Sequence, residues 1–559
     1  MFACGAGKGS LESPHDGVRR RRVKIITIDI SGTKDRAKEV PILLFGEFVS
    51  FFLNVANSIF FLNGDLKMFD QILNSIDDVV WGIPTIVLIL ATGLVLTIRA
   101  RGLQFTKLGR AFRSIFKENE GHGELSGFSA LCTALSATIG TGNIVGVATA
   151  IAAGGPGALF WMWIAAILGT ATKFSECMLA IKFREVKEDG HVLGGPFYTI
   201  EKGMGAKWKW LAILFAVFGV LAGLLGIGTM TQINGITSAV NMAFDPNNAN
   251  IAFTIGDKPY TWATVIGGAI VTICAALVIL GGLKRISKVA EKVVPAMAVI
   301  YIFMGVAVLI MNATKVPAAF ALIFKSAFGA GAITAGVSGY IIKMILDSMQ
   351  KGIARGIFSN EAGLGSAPIA AAPVQTNEPV EQGLVNMTGT VIDTLIVCTM
   401  TGLAIVIAFY GDIIAPGGIV FETVEGKLAM ISTWNHGLEG ASLTAAAFSR
   451  VLGGDGYSVK FLLMLCLAFF AFTTILGWDY YSEKCLEYLT NGRMKLVFIY
   501  RLIYIAAIAI GPYFTVNAVF TIADITNGLM AIPNCISLIV LSGVVAEEVK
   551  KYFAKYPTL

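Results

Sequence analysis

Charge is what this chain lacks. Asp, Glu, Lys and Arg make up 14% of its 559 residues, whereas a soluble globular chain carries about 25%. With 55% hydrophobic residues, that deficit excludes a soluble protein with one anchor and implies a polytopic membrane protein. Histidine is also scarce. His15, His122, His191 and His436 all fall in polar segments, which removes the usual ligands and bases of a membrane-embedded metalloenzyme. The cysteines, Cys4, Cys132, Cys177, Cys274, Cys398, Cys466, Cys485 and Cys535, form no CxxC pair, and most sit in apolar runs. They read as buried free thiols, not as a disulfide framework or metal site. The net charge of +6 does not point to nucleic acid, because the basic residues follow membrane topology.

What is present is a succession of apolar runs. They lie near 78–99, 129–153, 157–181, 210–240, 261–282, 293–312, 332–370 (interrupted), 388–410, 460–480, 496–512 and 515–545. A spanning helix needs ~20 residues, so eleven crossings are expected, or twelve if the Phe-rich run 41–62 also spans. Residues 1–40 are polar, with Arg19 to Arg22. Residues 1–67 read as an extra helix or a signal-like extension, and Met68 offers an alternative start.

Lys and Arg cluster in alternate loops, at 99–117, 182–209, 284–292, 484–495 and 550–555. The other side carries few: Lys258, Lys315, Lys325, Lys427 and Arg450. The exception to this alternation is the acidic loop 373–387, which has no basic residue. The positive-inside rule puts the rich loops and the C-terminus in the cytoplasm, and the N-terminus too if 41–62 spans. Segment 411–458 is then the longest external stretch, with a short helix expected over Ala441–Leu452. Segments 105–117 and 317–328 are amphipathic and are expected along the membrane surface.

The run Ser136-Ala137-Thr138-Ile139-Gly140-Thr141-Gly142-Asn143-Ile144-Val145-Gly146 sits mid-span. Each glycine weakens helix by roughly 1 kcal/mol relative to alanine. Unwound backbone at membrane depth is tolerated only where protein buries it or a cavity is lined. The stretch reads as a broken helix binding a small solute and an ion, or as a small-residue packing face. Ser359-Asn360-Glu361-Ala362-Gly363-Leu364-Gly365-Ser366 aligns on Ser136 to Asn143 without gaps. Upstream, Phe112 to Lys117 resembles Phe320 to Lys325. About five helices separate the two breaks. An odd number inverts the second copy, and interrupted spans at matching places of two halves point to a transporter site.

The run Gly140 to Ile151, followed by Gly154-Gly155-Pro156-Gly157 to Trp163, resembles the signature of the alanine/glycine:cation symporter family. So do Gly356 to Pro368, Ala471 to Trp478 and Asp524 to Met530. The resemblance covers about residues 68 to 555. It implies an all-α, leucine-transporter-like fold: a five-plus-five inverted repeat with one extra N-terminal helix. The corresponding segments are an extension over 1–67, the first helix and an amphipathic segment over 68–126, repeats over 127–312 and 313–545, and a tail over 546–559. It also implies sodium-coupled, or sometimes proton-coupled, uptake of alanine or glycine across the cell membrane, with no cofactor and no enzymatic step.

A small zwitterion needs partners for both ends. Gly140, Thr141, Gly142 and Asn143 are assigned to the carboxylate, since a discontinuous helix offers N–H groups and a positive dipole end. Asn143 is also a candidate N-cap of the second half-helix. Ser359, Asn360 and Gly363 are assigned to the ammonium. The resemblance suggests that the fourth helix lines the pocket, through Gln232 in preference to Asn234. For sodium, Thr473 and Thr474 supply adjacent hydroxyls, and by the resemblance carbonyls of Ser136, Ile139 and Phe470 complete the shell. Both threonines are also candidates for bonds to their own helix carbonyls. Among intramembrane charges, Lys173 and Glu176 are expected to pair with each other. Asp347, Glu361, Asp393 and Asp524 are candidates for proton sensitivity or structural hydrogen bonds. Phe160 to Trp163 reads as an interfacial aromatic belt. A channel would need a continuous polar pore, and the two breaks sit in apolar sequence instead.

Overall fold

The computed structural model describes residues 66–557, except 118–120, 189–190, 256–257, 330–340, 416–418, 425–426 and 454–456. The expected helix at 41–62 lies outside the described residues. The fold is helical, with three small two-stranded sheets among the described residues.

In chain order the main helices are α1 Leu66–Val80, α2 Ile83–Arg99, α3 Gly127–Thr138, α4 Val147–Gly154, α5 Gly157–Phe183, α6 Lys209–Leu225, α7 Met230–Phe244, α8 Trp262–Ile279 and α9 Leu283–Met311. They continue with α10 Val316–Ala327, α11 Ile341–Asn360, α12 Ala367–Ala371, α13 Pro379–Thr390, α14 Thr399–Ala408, α15 Gly440–Leu452, α16 Tyr457–Leu489, α17 Met494–Ile510, α18 Val516–Val540 and α19 Ser542–Lys555. Among the described residues, nine helical spans are long and apolar enough to cross a bilayer. A tenth comes from α3 and the segment Gly142–Gly154, bent by 49°. These ten match ten of the apolar runs. The eleventh run holds α11 and α12, and part of it lies outside the described residues.

Burial sorts the spans. Ala, Leu and Ile of α3 are buried, as are most of those in α4 and α5, whereas α8 shows Ile266, Ile270, Ile273 and Leu277 at its surface. In a bilayer such side chains face lipid, so the former group is the interior and the latter the rim. Small residues set the closest approaches. A Cβ on Gly477 of α16 would stand 2.7 Å from the Ala137 Cβ of α3, so backbone meets backbone there.

The expected external helix forms as α15. It begins with a reciprocal cap between Glu439 and Ser442. Phe160 and Trp163 pack on α10, with ring centroids 5.4 Å from Phe324 and 5.7 Å from Phe320 respectively. The run 210–240 is not one helix. It breaks between α6 and α7, where Gly226 takes φ −114° and ψ −125°. A Cβ on Gly228 would stand 2.5 Å from the Gly223 carbonyl oxygen.

Candidate functional site

The first break is made by two side chains. In a continuous helix the Ser136 carbonyl would receive the Gly140 N–H, and the Ala137 carbonyl the Thr141 N–H. Instead the Gly140 N–H donates to Asn143 Oδ1 at 2.9 Å, and the Thr141 N–H donates to Gln232 Oε1 at 3.1 Å. The Asn143 N–H, which Ile139 would have received, turns to the Gly140 carbonyl at 3.3 Å. Carbonyls of Ser136 and Ile139 are thereby freed.

Those freed carbonyls converge on one hydroxyl. Thr474 Oγ1 lies 3.0 Å from the Ser136 oxygen, 3.3 Å from that of Ile139 and 3.1 Å from that of Phe470. All four residues are buried. One hydroxyl carries one proton and can satisfy one acceptor well. Three carbonyl oxygens therefore share a single hydroxyl donor. Thr473 is placed differently: its hydroxyl donates to the Phe469 and Phe470 carbonyls at 3.1 and 3.0 Å. It is one residue, about 100° of helical turn, away from Thr474, and so looks at its own helix.

Gln232 is held by its amide, which donates to the Ile227 carbonyl at 2.9 Å. Asn234 instead donates to the Phe514 carbonyl. Thr141 Oγ1, on the break itself, is buried with no hydrogen-bond partner among the described residues.

Asn143 does not cap the second half-helix. Its amide nitrogen reaches Asp393 Oδ1 at 2.6 Å. Asp393 sits in a wide helical turn, Val391–Cys398, that joins α13 to α14. The same carboxylate accepts from Ser359 Oγ at 2.9 Å and Thr394 Oγ1 at 2.6 Å. Asp393 thus ties the first break to the end of α11, just ahead of the second break. The link is close: a Cβ on Gly142 would stand 3.1 Å from Ser359 Cα.

The second break runs from the end of α11 at Asn360 to Ala367. Glu361 takes φ +58° there, and accepts from Trp478 Nε1 at 2.6 Å and Ser366 Oγ at 2.7 Å. The oxygens expected to meet an ammonium are engaged by protein. Lys173 Nζ donates to the Asn360 carbonyl at 2.8 Å, and Asn534 Nδ2 to that of Gly363 at 2.9 Å. Lys173 therefore does not pair with Glu176 as the spacing suggests. It reaches across to another helix, while Glu176 accepts from Asn534 at 3.0 Å. An intramembrane ammonium gains more from a freed carbonyl at a helix break than from a neighbour on its own helix face.

Ion pairs flank the two breaks. Arg355 holds Asp524 in a forked pair, at 2.9 and 2.7 Å, above the stacked rings of Phe358 and Phe520. Thr444 of α15 donates to the Ile144 carbonyl at 2.9 Å. On the opposite side His191 lies between Glu124, at 3.3 Å, and Glu487, at 3.1 Å. Lys484 also holds Glu487, at 2.8 Å. The hydrogen bonds to Glu124 and then Glu487 push His191 up to about 9. A histidine pKa raised on folding adds stability that is full below its unfolded value of about 6.5 and is lost as pH rises through the folded one. Thermal unfolding should therefore show stability falling between about pH 7 and about pH 10, and His191→Gln should flatten that fall. An unchanged profile in the variant would refute the assignment.

The model of the sodium:alanine symporter family matches residues 66–558. The chain is 46% identical over 488 residues to an uncharacterized transporter of Haemophilus influenzae, covering 87% of this chain and 96% of that one. It is 42% identical to the sodium/alanine symporter AgcS of Methanococcus maripaludis, covering 87% and 97%. Among solved structures, MhsT in complex with L-phenylalanine matches with a TM-score of 0.46 and 13% identity, over 78% of this chain and 99% of that one.

Proposed function

Because the chain belongs to the sodium:alanine symporter family, we propose that it imports a small neutral amino acid, alanine or glycine, together with sodium. The observation that carries this reading is the convergence of the Ser136, Ile139 and Phe470 carbonyls on Thr474. Those oxygens form the sodium shell. They are neutral, so the ion is held and can still leave. Thr473 is left outside the set because its hydroxyl bonds to the Phe469 and Phe470 carbonyls of its own helix.

The amino acid binds on the other side of the same break. Its carboxylate takes the place of Gln232 Oε1 on the Thr141 N–H and accepts from the Thr141 hydroxyl. Gly140 and Gly142 keep the pocket small, since their faces meet Thr474 and Ser359. The ammonium end faces Ser359, whose hydroxyl is held by Asp393. Residues 127–312 and 313–545 form the two inverted halves, in keeping with the two aligned interruptions. The halves rock about the paired breaks, with Arg355–Asp524 on the external path and the His191 cluster on the internal one. The chain sits as a multi-pass protein in the cell membrane.

Thr474→Ala should raise the sodium concentration for half-maximal uptake by roughly tenfold, equivalent to about 1.4 kcal/mol. Thr473→Ala should leave it near the wild-type value. Wild-type sodium activation in Thr474→Ala would refute the ion site. A competition panel of small amino acids, run with and without sodium, tests the substrate class. Alanine or glycine should compete best, and only with sodium present.

A further inference from the structure

Asp479 is a carboxyl group with no hydrogen-bond donor among the described residues. It lies on α16, one to two turns from Thr474 toward the cytoplasmic end, and is fully buried. Among the described residues, neither of its side-chain oxygens has a hydrogen-bond donor. The donors around it are committed elsewhere. Tyr504 donates to the Gly228 and Ile475 carbonyls, Tyr500 to that of Val220, and Ser482 to backbone carbonyls of its own helix. What faces Asp479 is Glu483, one turn on, and Arg501 of α17. Arg501 forks onto Glu483, with Nη2 2.7 Å from Oε2. The neighbouring Lys484 is turned to Glu487 and His191.

Two carboxylates and one guanidinium leave one negative charge over, in a span where an unpaired charge costs several kcal/mol. Two ionised carboxylates also cannot hydrogen-bond each other, since neither carries a proton. Both deficits are cured by one proton. We infer that Asp479 and Glu483 form a proton-binding site, loaded from the cytoplasmic side, on the helix that carries Thr474. The proton moves from water to an Asp479 oxygen, forming an O–H bond that donates to Glu483. The remaining single charge is then matched by Arg501. Arg501 is 19% exposed and Glu483 lies nearer the cytoplasmic end, which supplies the way in. The coupling part of this inference rests on the symporter reading; the binding part does not.

The test is a proton titration of the purified full chain in detergent, between about pH 5 and about pH 9. The wild type should take up one proton more than Asp479→Asn, and superimposable curves would overturn the site. If Asp479→Asn does not fold, Glu483→Gln should remove the same proton. Infrared spectra of the wild type give a readout that needs no variant. A protonated-carboxyl band sensitive to isotope-labelled aspartate should fade as pH rises, and its absence would overturn the site. In vesicles, alanine uptake by the wild type should change by up to about tenfold per unit of internal pH where one group titrates. Asp479→Asn should flatten that dependence. A variant that loses the proton yet keeps the wild-type profile would overturn the coupling. A wild type that binds the proton but moves no amino acid would refute the transport reading alone.

Discussion

Gly140→Ala should lower sodium-driven alanine uptake by about 100-fold while leaving an inserted, folded protein. The added methyl carbon would stand 2.5 Å from Thr474 Oγ1 and 3.0 Å from Gln232 Oε1. Neither neighbour is a loose side-chain end. Thr474 faces three carbonyls, and Gln232 is bonded at both its oxygen and its nitrogen. Relief requires one of them to move by a sizeable fraction of an ångström. A displacement of about 1 Å at a binding centre costs on the order of 100-fold in rate. The proposed ion shell and the proposed amino-acid side of the break are both disturbed, because Gly140 meets Thr474 on one and Gln232 on the other. Uptake per molecule, counted against protein recovered as a monodisperse species, is the measurement. Gly411→Ala serves as a control, since its Cβ would meet nothing within 4 Å. Near-normal uptake by Gly140→Ala would mean that the break is packing and nothing more.

Asp393→Ala should cost stability as well as transport. The substitution removes the carboxylate that accepts from the Asn143 amide and the Ser359 and Thr394 hydroxyls, all buried, and leaves Asn143 and Ser359 the weaker Cys398 sulfur contact. Each buried donor left unmade costs about 1–3 kcal/mol. Removing a buried charge returns part of that. A net loss on the order of 3–5 kcal/mol is expected, enough to lower the melting temperature clearly and to uncouple the two breaks. Asp393→Asn keeps the volume and one acceptor, and should lose less stability than Asp393→Ala. A melting temperature for Asp393→Ala equal to wild type would contradict the role given to this carboxylate.

The helical, polytopic architecture was legible because burial in lipid demands long apolar runs, and those runs can be counted. Gly140 and Gly142 marked the first break for the same reason. Two weak helix formers at mid-span need a compensating purpose. The gap between α6 and α7 was not marked, since Gly226 and Gly228 resemble the small residues that membrane helices use for packing. Side-chain engagement was the least legible layer. Asn143 looked like a cap, yet its amide is drawn to Asp393, about 250 residues away in sequence. Lys173 and Glu176 looked like a local pair, yet freed carbonyl and amide groups on other helices compete better. Asp479 carried no signal at all, because its meaning depends on Arg501 arriving from α17. Thr473 and Thr474 were indistinguishable as adjacent hydroxyls, and helical rotation alone separates them.

The most direct test of the account is accumulation of labelled alanine in vesicles reconstituted with the full chain under an inward sodium gradient. Sodium-coupled symport predicts internal alanine above the external concentration, collapsing when sodium is equal on both sides. Passive equilibration without accumulation, or accumulation that ignores sodium, would contradict it.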